Sequence, residues 1–255
     1  MKYKLILTDL DDTLLHSDKT ISPYTLDVLR RCQEAGALIG FSTSRGRPNI
    51  ALYENQVHPD VIICNGGALT FLKNECIRSV HFTLDETRAL IAKAYEVIGP
   101  CAEMTVDLET GFFWNRHVEE RSTGYAHGEY DDLLDFRQPA QKICVQTADR
   151  ATADTIATAV HDVDYLPFSD IPWFKYSPAA ATKENALSFL VEKLGISFDE
   201  VIAFGDDFND IGMLKMAGRG VAMGNAIPEV KAAADEVTAT CNEDGVAHLL
   251  EGLLA

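Results

Sequence analysis

The apolar run Leu5-Ile6-Leu7 leads straight into Asp9-Leu10-Asp11-Asp12-Thr13, and this junction constrains the chain more than any other feature. A short buried strand fits the run. Its carboxyl end then carries two carboxylates on alternate residues, with a third and a hydroxyl beside them. Crowded carboxylates repel one another, so the cluster is tolerable only with a cation or a basic side chain among them. That is the chemistry of a phosphoryl-transfer site.

The chain that follows alternates strand and helix signals. Ser22-Pro23 offers an N-cap followed by proline at the first helical position. Leu26, Leu29 and Cys32 recur at helical spacing, Gly36 is the expected C-cap, and Leu38 to Phe41 is a second strand. A second helix is expected near Pro48, and a third strand, Val61-Ile62-Ile63-Cys64, ends in Asn65-Gly66-Gly67. Residues 84–180 differ in texture, with a helical stretch from Leu84 to Ile98, the aromatic segment Phe112-Phe113-Trp114, and strand candidates at Lys142 to Gln146 and Trp173 to Tyr176. The earlier pattern then returns with a helix from Lys183 to Leu194, a strand from Val201 to Phe204, a helix from about Asp210, the strand Val221-Ala222-Met223 and a closing helix from Pro228 to Ala234. The expected fold is α/β: residues 1–83 and 181–255 form a doubly wound parallel sheet, and residues 84–180 are an inserted α+β cap.

In an open parallel sheet, ligands bind beyond the carboxyl ends of the strands. The acidic loop, Thr43-Ser44-Arg45 and Gly205-Asp206-Asp207-Phe208-Asn209-Asp210 all follow expected strands, so they should converge. Asp9 is the candidate nucleophile, and Asp11 the acid/base for leaving oxygen and water, a role that needs a raised pKa; neighbouring carboxylates push it that way. Asp206 supplies a second carboxylate to a hard divalent cation, for which an oxygen-only donor set favours Mg2+. Asp210 is placed to hold a metal-bound water. Thr43, Ser44, Lys183 and Asn209 are the candidate phosphate binders. Singly, each has a plainer reading as a turn, helix cap or surface residue; their order and strand-end placement set them apart.

Composition removes several partner classes. The 255 residues carry 39 acidic and 22 basic side chains, a net charge of −17, which repels nucleic acid and anionic lipid. It also repels an anionic substrate, so a site for phosphates needs locally positive groups or a metal. No apolar run approaches a membrane span or a signal peptide's core, and the six cysteines show no zinc or disulfide spacing; they read as reduced core thiols of a cytoplasmic protein. Nothing in the sequence specifies an oligomeric state.

The ordered set Asp9-Leu10-Asp11-Asp12-Thr13-Leu14-Leu15, Thr43-Ser44-Arg45, Lys183 and Gly205-Asp206-Asp207-Phe208-Asn209-Asp210 resembles the haloacid-dehalogenase superfamily of phosphatases across nearly the whole chain. The long insert and Asn65-Gly66-Gly67-Ala68 are similar to the Cof-type branch, whose α/β cap lies between the second and third motifs. The resemblance implies Asp9 as nucleophile, Asp11 as acid/base, and Thr43 and Lys183 as phosphoryl binders. It also implies magnesium held by Asp9, the Asp11 backbone carbonyl and Asp206, with Asp210 close by and Asn209 contacting phosphate or Lys183. Asp12 stands where glycine is usual, and Ser44 where the motif often reads Thr-Gly-Arg. Asp tolerates unusual backbone angles, so Asp12 is expected to keep the loop's shape.

The implied activity is magnesium-dependent hydrolysis of small phosphomonoesters, sugar phosphates first, with pyridoxal phosphate or flavin mononucleotide as alternatives. A phosphomutase shares the chemistry, but the mutase branch carries its cap after the first motif. A phospho-aspartate signalling receiver is about half this length and uses a different strand. Substrate choice would fall to the cap, where Trp114, Arg116, His117, Arg121, Trp173 and Lys175 are candidates, although core or surface placement is the commoner fate of each type.

Overall fold

The computed structural model describes residues 2–116, 128–169 and 171–254. In chain order the first strands and helices are β1 (Leu5–Thr8), α1 (Pro23–Glu34), β2 (Leu38–Ser42), α2 (Ala51–Val57), β3 (Val61–Cys64), β4 (Leu69–Leu72) and β5 (Glu75–Ser79). The middle of the chain gives α3 (Leu84–Ile98), β6 (Met104–Asp107), β7 (Phe112–Trp114), β8 (Glu129–Tyr130), β9 (Lys142–Gln146), α4 (Arg150–Ala157), β10 (Val163–Pro167) and β11 (Trp173–Pro178). The last stretch gives α5 (Lys183–Leu194), β12 (Val201–Gly205), α6 (Ile211–Met216), β13 (Arg219–Ala222), α7 (Pro228–Ala233), β14 (Glu236–Val237) and α8 (Gly245–Leu254). His117 and Arg121 lie outside the described residues.

Local chemistry explains the main boundaries. Ser22 accepts a hydrogen bond from the Thr25 backbone N–H, Pro23 occupies the first turn of α1, and Gly36 follows the helix at φ +87°. Thr83 and Glu86 make a reciprocal capping box at the start of α3. Thr182 caps α5, so that Lys183 is that helix's first residue.

Among the described residues the strands form two sheets. The first has the order β14-β13-β12-β1-β2-β3-β4-β5. It is parallel from β14 to β3 and antiparallel through the β4–β5 hairpin. The chain moves outward from β1 through β2 and β3, then returns on the other side of β1 as β12, making a topological switch point between β1 and β12. Thr8 pairs with Phe204 on one side and Phe41 on the other, so Asp9, Asp206 and Thr43 emerge at the same edge. The doubly wound α/β expectation is met. The hairpin and the C-terminal α8, packed against α1, are additions that the sequence pattern did not announce.

The second sheet has the order β10-β11-β9-β6-β7-β8 and is antiparallel except between β7 and β8. Its registers sort the side chains into two faces. Phe174, Val145 and Met104 align across three strands, as do Tyr176, Ile143 and Val106, and these pack under α3 and α4 with Leu90, Ile91 and Ile156. The opposite face carries Lys175, Lys142, Asp107 and Asp164. Phe113 joins the apolar cluster at its edge, whereas Trp114 and Trp173, on the other face, meet edge to face at 6.4 Å.

The six cysteines are free; Cys32, Cys64, Cys144 and Cys241 are buried, but Cys76 and Cys101 are exposed, which corrects the expectation of six core thiols. Cys76 is in β5, a strand whose side chains are largely solvent-facing, and Cys101 lies in the turn after α3. Among the described residues no helix is long and apolar enough to cross a membrane.

Candidate active site

Asp9 leaves β1 with its backbone N–H donating to the Phe204 carbonyl at 3.0 Å, which locks this position to the neighbouring strand. Lys183 reaches the same point from α5. Its Nζ donates to Asp9 Oδ1 at 2.7 Å and to Asp210 Oδ1 at 2.6 Å, and the side chain is 1% exposed. Asp210 is itself fixed, for its Oδ2 accepts from the Asp206 and Asp207 backbone N–H groups at 3.0 and 3.2 Å. A Cβ at Gly205 would fall 2.4 Å from the Asp210 Cβ, so this turn closes only around glycine. Asp206 accepts a 2.6 Å hydrogen bond from Thr13 Oγ1, which orients its carboxylate.

The carboxylates of Asp9, Asp206 and Asp210 each place an oxygen within 4.8 Å of the others. Burial pushes Asp9 up to about 7, against the pull of Lys183 and with Asp210 and Asp11 adding to the rise. Burial and the charges of Asp9 and Asp210 push Asp206 up to about 9. Lys183 moves up as well, because Asp210 and Asp9 outweigh its own burial. One ammonium does not neutralise three carboxylates. The excess negative charge and the all-oxygen donor set fit a hard divalent cation.

These shifts give a pH dependence. Both carboxylates have folded pKa values above the unfolded value of 3.8, so the folded state binds protons more tightly; the associated stability is present below about pH 4 and is lost as pH rises through about 7 and about 9. In chelator the melting temperature should fall between pH 5 and pH 9, by roughly several degrees, and millimolar magnesium should flatten that fall. A chelated protein with a level profile across this range would contradict the assignment.

Asp11 behaves differently from expectation. Burial alone would raise its pKa, but Arg45 hydrogen-bonds it and adds its charge, Lys19 contributes further, and the carboxyl is held below the ordinary range. Arg45 Nε donates to Asp11 Oδ2 at 2.6 Å and Nη2 to Oδ1 at 2.7 Å, while Lys19 Nζ lies 3.0 Å from Oδ1. The neighbouring carboxylates therefore do not set this group; two cations do. Asp12 sits at φ +54°, ψ +15°, the left-handed conformation in which Asp can stand in for glycine, and its carbonyl accepts from Asn225 Nδ2 at 2.7 Å.

Thr43 is buried, and its Oγ1 accepts from the Arg45 backbone N–H at 3.1 Å. Ser44 and Asn209 meet each other: Asn209 Nδ2 donates to Ser44 Oγ at 3.1 Å. Both are then touched from the second sheet. Lys175 Nζ donates to Asn209 Oδ1 at 2.8 Å, and Lys142 Nζ donates to the Ser44 carbonyl at 2.7 Å. Lys175 thus has a place at the boundary, whereas Arg116 pairs with Glu103 at 3.0 Å and is 62% exposed. Sequence reasoning left Arg45, Lys19 and Lys142 without roles. Lys142 had a readable signal, since Lys142, Cys144 and Gln146 alternate with apolar residues along β9; Arg45 and Lys19 had none, being joined to Asp11 only by the fold.

The loop Asn65-Gly66-Gly67 ties these parts together. Gly67 has φ +109°, and a Cβ there would lie 2.2 Å from the Thr182 carbonyl carbon, immediately before Lys183. Gly67→Ala should therefore cost about 3 kcal/mol and lower activity with it, by moving the start of α5. Urea denaturation checks this, and a midpoint equal to the wild type's would contradict it.

The chain is similar to known proteins over nearly its whole length. A family model for haloacid dehalogenase-like hydrolases matches residues 6–250. The 5-amino-6-(5-phospho-D-ribitylamino)uracil phosphatase YitU of Bacillus subtilis is 30% identical over 97% of this chain and 96% of its own length. The HMP-PP phosphatase of Klebsiella pneumoniae is 29% identical over 97% of this chain and 94% of its own. Among solved structures, the phosphatase BT1666 of Bacteroides thetaiotaomicron superposes with a TM-score of 0.84 at 26% identity, covering 98% of this chain and 94% of that one. The sugar phosphatase BT4131 shares the fold, with a TM-score of 0.86 at 22% identity over 98% of both chains. The chain belongs to the haloacid dehalogenase-like hydrolases, in the Cof-type phosphatase branch of that superfamily.

Proposed function

We propose that the chain is a magnesium-dependent phosphatase of small phosphomonoesters, sugar phosphates first, working through an aspartyl phosphate on Asp9. The observation that carries this is the buried Asp9–Lys183–Asp210 arrangement, with Asp206 beside it, at the switch point of the parallel sheet. Relatives named for a phosphoribitylamino compound and for HMP-PP support small phosphorylated metabolites as substrates. In this reading residues 1–83 and 181–255 are the catalytic core and residues 84–180 are the cap. The six free cysteines fit a reducing compartment, and we place the protein in the cytoplasm.

Asp9 attacks phosphorus and forms the aspartyl–phosphorus bond as the bond to the leaving oxygen breaks. Asp11 supplies that oxygen's proton, then takes one from the water that attacks the aspartyl phosphate, returning Asp9 as a carboxylate. To donate, Asp11 must first be protonated, which Arg45 and Lys19 oppose; the incoming phosphate dianion offsets both cations and eases that step. Thr43, Ser44, Lys183 and Asn209 are the donors and positioning groups for the phosphoryl oxygens. Magnesium, when held by Asp9, the Asp11 carbonyl and Asp206 with Asp210 nearby, supplies charge neutralisation between carboxylate and phosphate.

Phosphate release from sugar phosphates, nucleotides, pyridoxal phosphate and flavin mononucleotide, with magnesium and with chelator, tests this reading. Turnover that requires magnesium and favours sugar phosphates is expected. Equal turnover in chelator would remove the metal, and a preference for the flavin or pyridoxal compound would replace the substrate class.

A further inference from the structure

The inner face of the second sheet carries two ammonium–carboxylate pairs against the catalytic edge of the first. Lys142 Nζ lies 3.3 Å from Asp107 Oδ1, and Lys175 Nζ lies 3.3 Å from Asp164 Oδ2. Lys142 and Lys175 are 5% and 2% exposed. Their shorter bonds go across the boundary, to the Ser44 carbonyl and to Asn209 Oδ1, the two positions flanking the phosphoryl site. The loop opposite is shaped to let them in: a Cβ at Gly66 would fall 3.4 Å from Lys175 Nζ, and one at Gly46 would fall 3.0 Å from Asn65 Oδ1 and 3.5 Å from Asp107 Oδ1.

Asn65 adds an independent observation. It is fully buried, its Nδ2 donates to the carbonyl of Leu108, the residue after β6, at 3.4 Å, and its Oδ1 has no hydrogen-bond partner. Asp164 Oδ2 has the Lys175 ammonium beside it, at 3.3 Å. A buried acceptor without a donor costs about 1–3 kcal/mol, so the boundary at Asn65 is built to receive a donor.

We propose that Asn65, Lys142 and Lys175, with Asp107 and Asp164, are specificity-determining residues for the non-phosphate part of the substrate, and that they read its hydroxyl groups rather than a second acid. This rests on the phosphatase reading and adds to it the residues that choose the substrate. A hydroxyl donates to Asn65 Oδ1 or an Asp carboxylate and accepts from a lysine ammonium, so it satisfies both kinds of group at once. A second carboxylate or phosphate offers no donor, leaves Asn65 Oδ1 unpaired, and meets Asp107 and Asp164 beside the ammoniums. Each lysine can exchange its present bond to the core for one to a substrate oxygen without losing a hydrogen bond. Burial holds Lys175 below the ordinary lysine range, with Asp164 opposing and Lys142 and Lys183 adding to the shift, which places all three ammoniums in one neighbourhood.

The test compares sorbitol 6-phosphate, hexyl phosphate and 6-phosphogluconate in the wild type, Lys142→Met and Lys175→Met, with p-nitrophenyl phosphate as a control for basal phosphatase chemistry. The wild type is expected to prefer sorbitol 6-phosphate over hexyl phosphate by about a hundredfold in kcat/KM, and 6-phosphogluconate should be no better than sorbitol 6-phosphate. Each variant should lower the sorbitol-to-hexyl ratio by about tenfold. Because both substrates are measured on one preparation, loss of folded protein cancels in the ratio. A ratio unchanged in both variants, a wild type indifferent to the hydroxyls, or a preference for 6-phosphogluconate overturns the inference while p-nitrophenyl phosphate turnover leaves the phosphatase reading standing. Silence on all four substrates removes both.

Discussion

Replacing Asp9 with asparagine is expected to lower kcat by about a thousandfold or more while the protein stays folded. Asparagine keeps the shape of the side chain but cannot form the acyl phosphate. The fold does not depend on the lost charge, since Lys183 keeps its 2.6 Å bond to Asp210, and Asp9 is one of the carboxylates that burial and its neighbours push up, to about 7. Its neutralisation relieves repulsion on Asp206 and Asp210, so the melting temperature in chelator should hold or rise. Full turnover in this variant would sink the nucleophile assignment.

Magnesium is expected to stabilise the fold as well as to support activity. At a hundredfold excess over Kd, binding to the folded state alone adds about 2.7 kcal/mol. For a chain of this size that corresponds to a rise of roughly 5–10 °C in melting temperature. The site predicts where the effect originates: Asp206→Asn removes a carboxylate pushed up to about 9, and should shrink the magnesium-induced rise while raising the melting temperature in chelator. Identical melting in magnesium and chelator would contradict a shared site at Asp9, Asp206 and Asp210.

The legible parts of the fold were those with local chemistry behind them. Ser22-Pro23 marks the start of α1, Leu84 to Ile98 is the span of α3, and Lys183 to Leu194 is the span of α5. The β4–β5 hairpin escaped because its two-residue turn is Lys73-Asn74, at φ +48° and +70°, rather than the glycine-containing pair that usually signals such a turn. Helix α8 escaped because it begins at Gly245 after a left-handed Asp244, without the capping or proline signals that mark α1, α3 and α5.

The site divides in the same way. Asp9, Lys183, Asp206 and Asp210 lie at the ends of strands or at a capped helix start, so the order of motifs was enough to bring them together. The charge state of Asp11 was not legible, because it depends on Arg45 and Lys19, whose approach is a product of tertiary packing. The pairing of Lys175 with Asn209 depends on how the second sheet lies against the first. Lys183, Arg45, Lys19, Lys142 and Lys175 each pair with a carboxylate, Asp9, Asp11, Asp107 or Asp164, and are the positive groups that a phosphate site in a strongly acidic chain would need.

All of this chemistry turns on a covalent intermediate on Asp9. Mixing the protein with magnesium and a turned-over phosphomonoester, quenching in acid and reducing with borohydride converts an acyl phosphate to homoserine, which peptide mass spectrometry then locates. Homoserine is expected at position 9, dependent on substrate and absent in Asp9→Asn. Magnesium-dependent phosphate release with the aspartate at position 9 unmodified, or with homoserine at another aspartate, would contradict it.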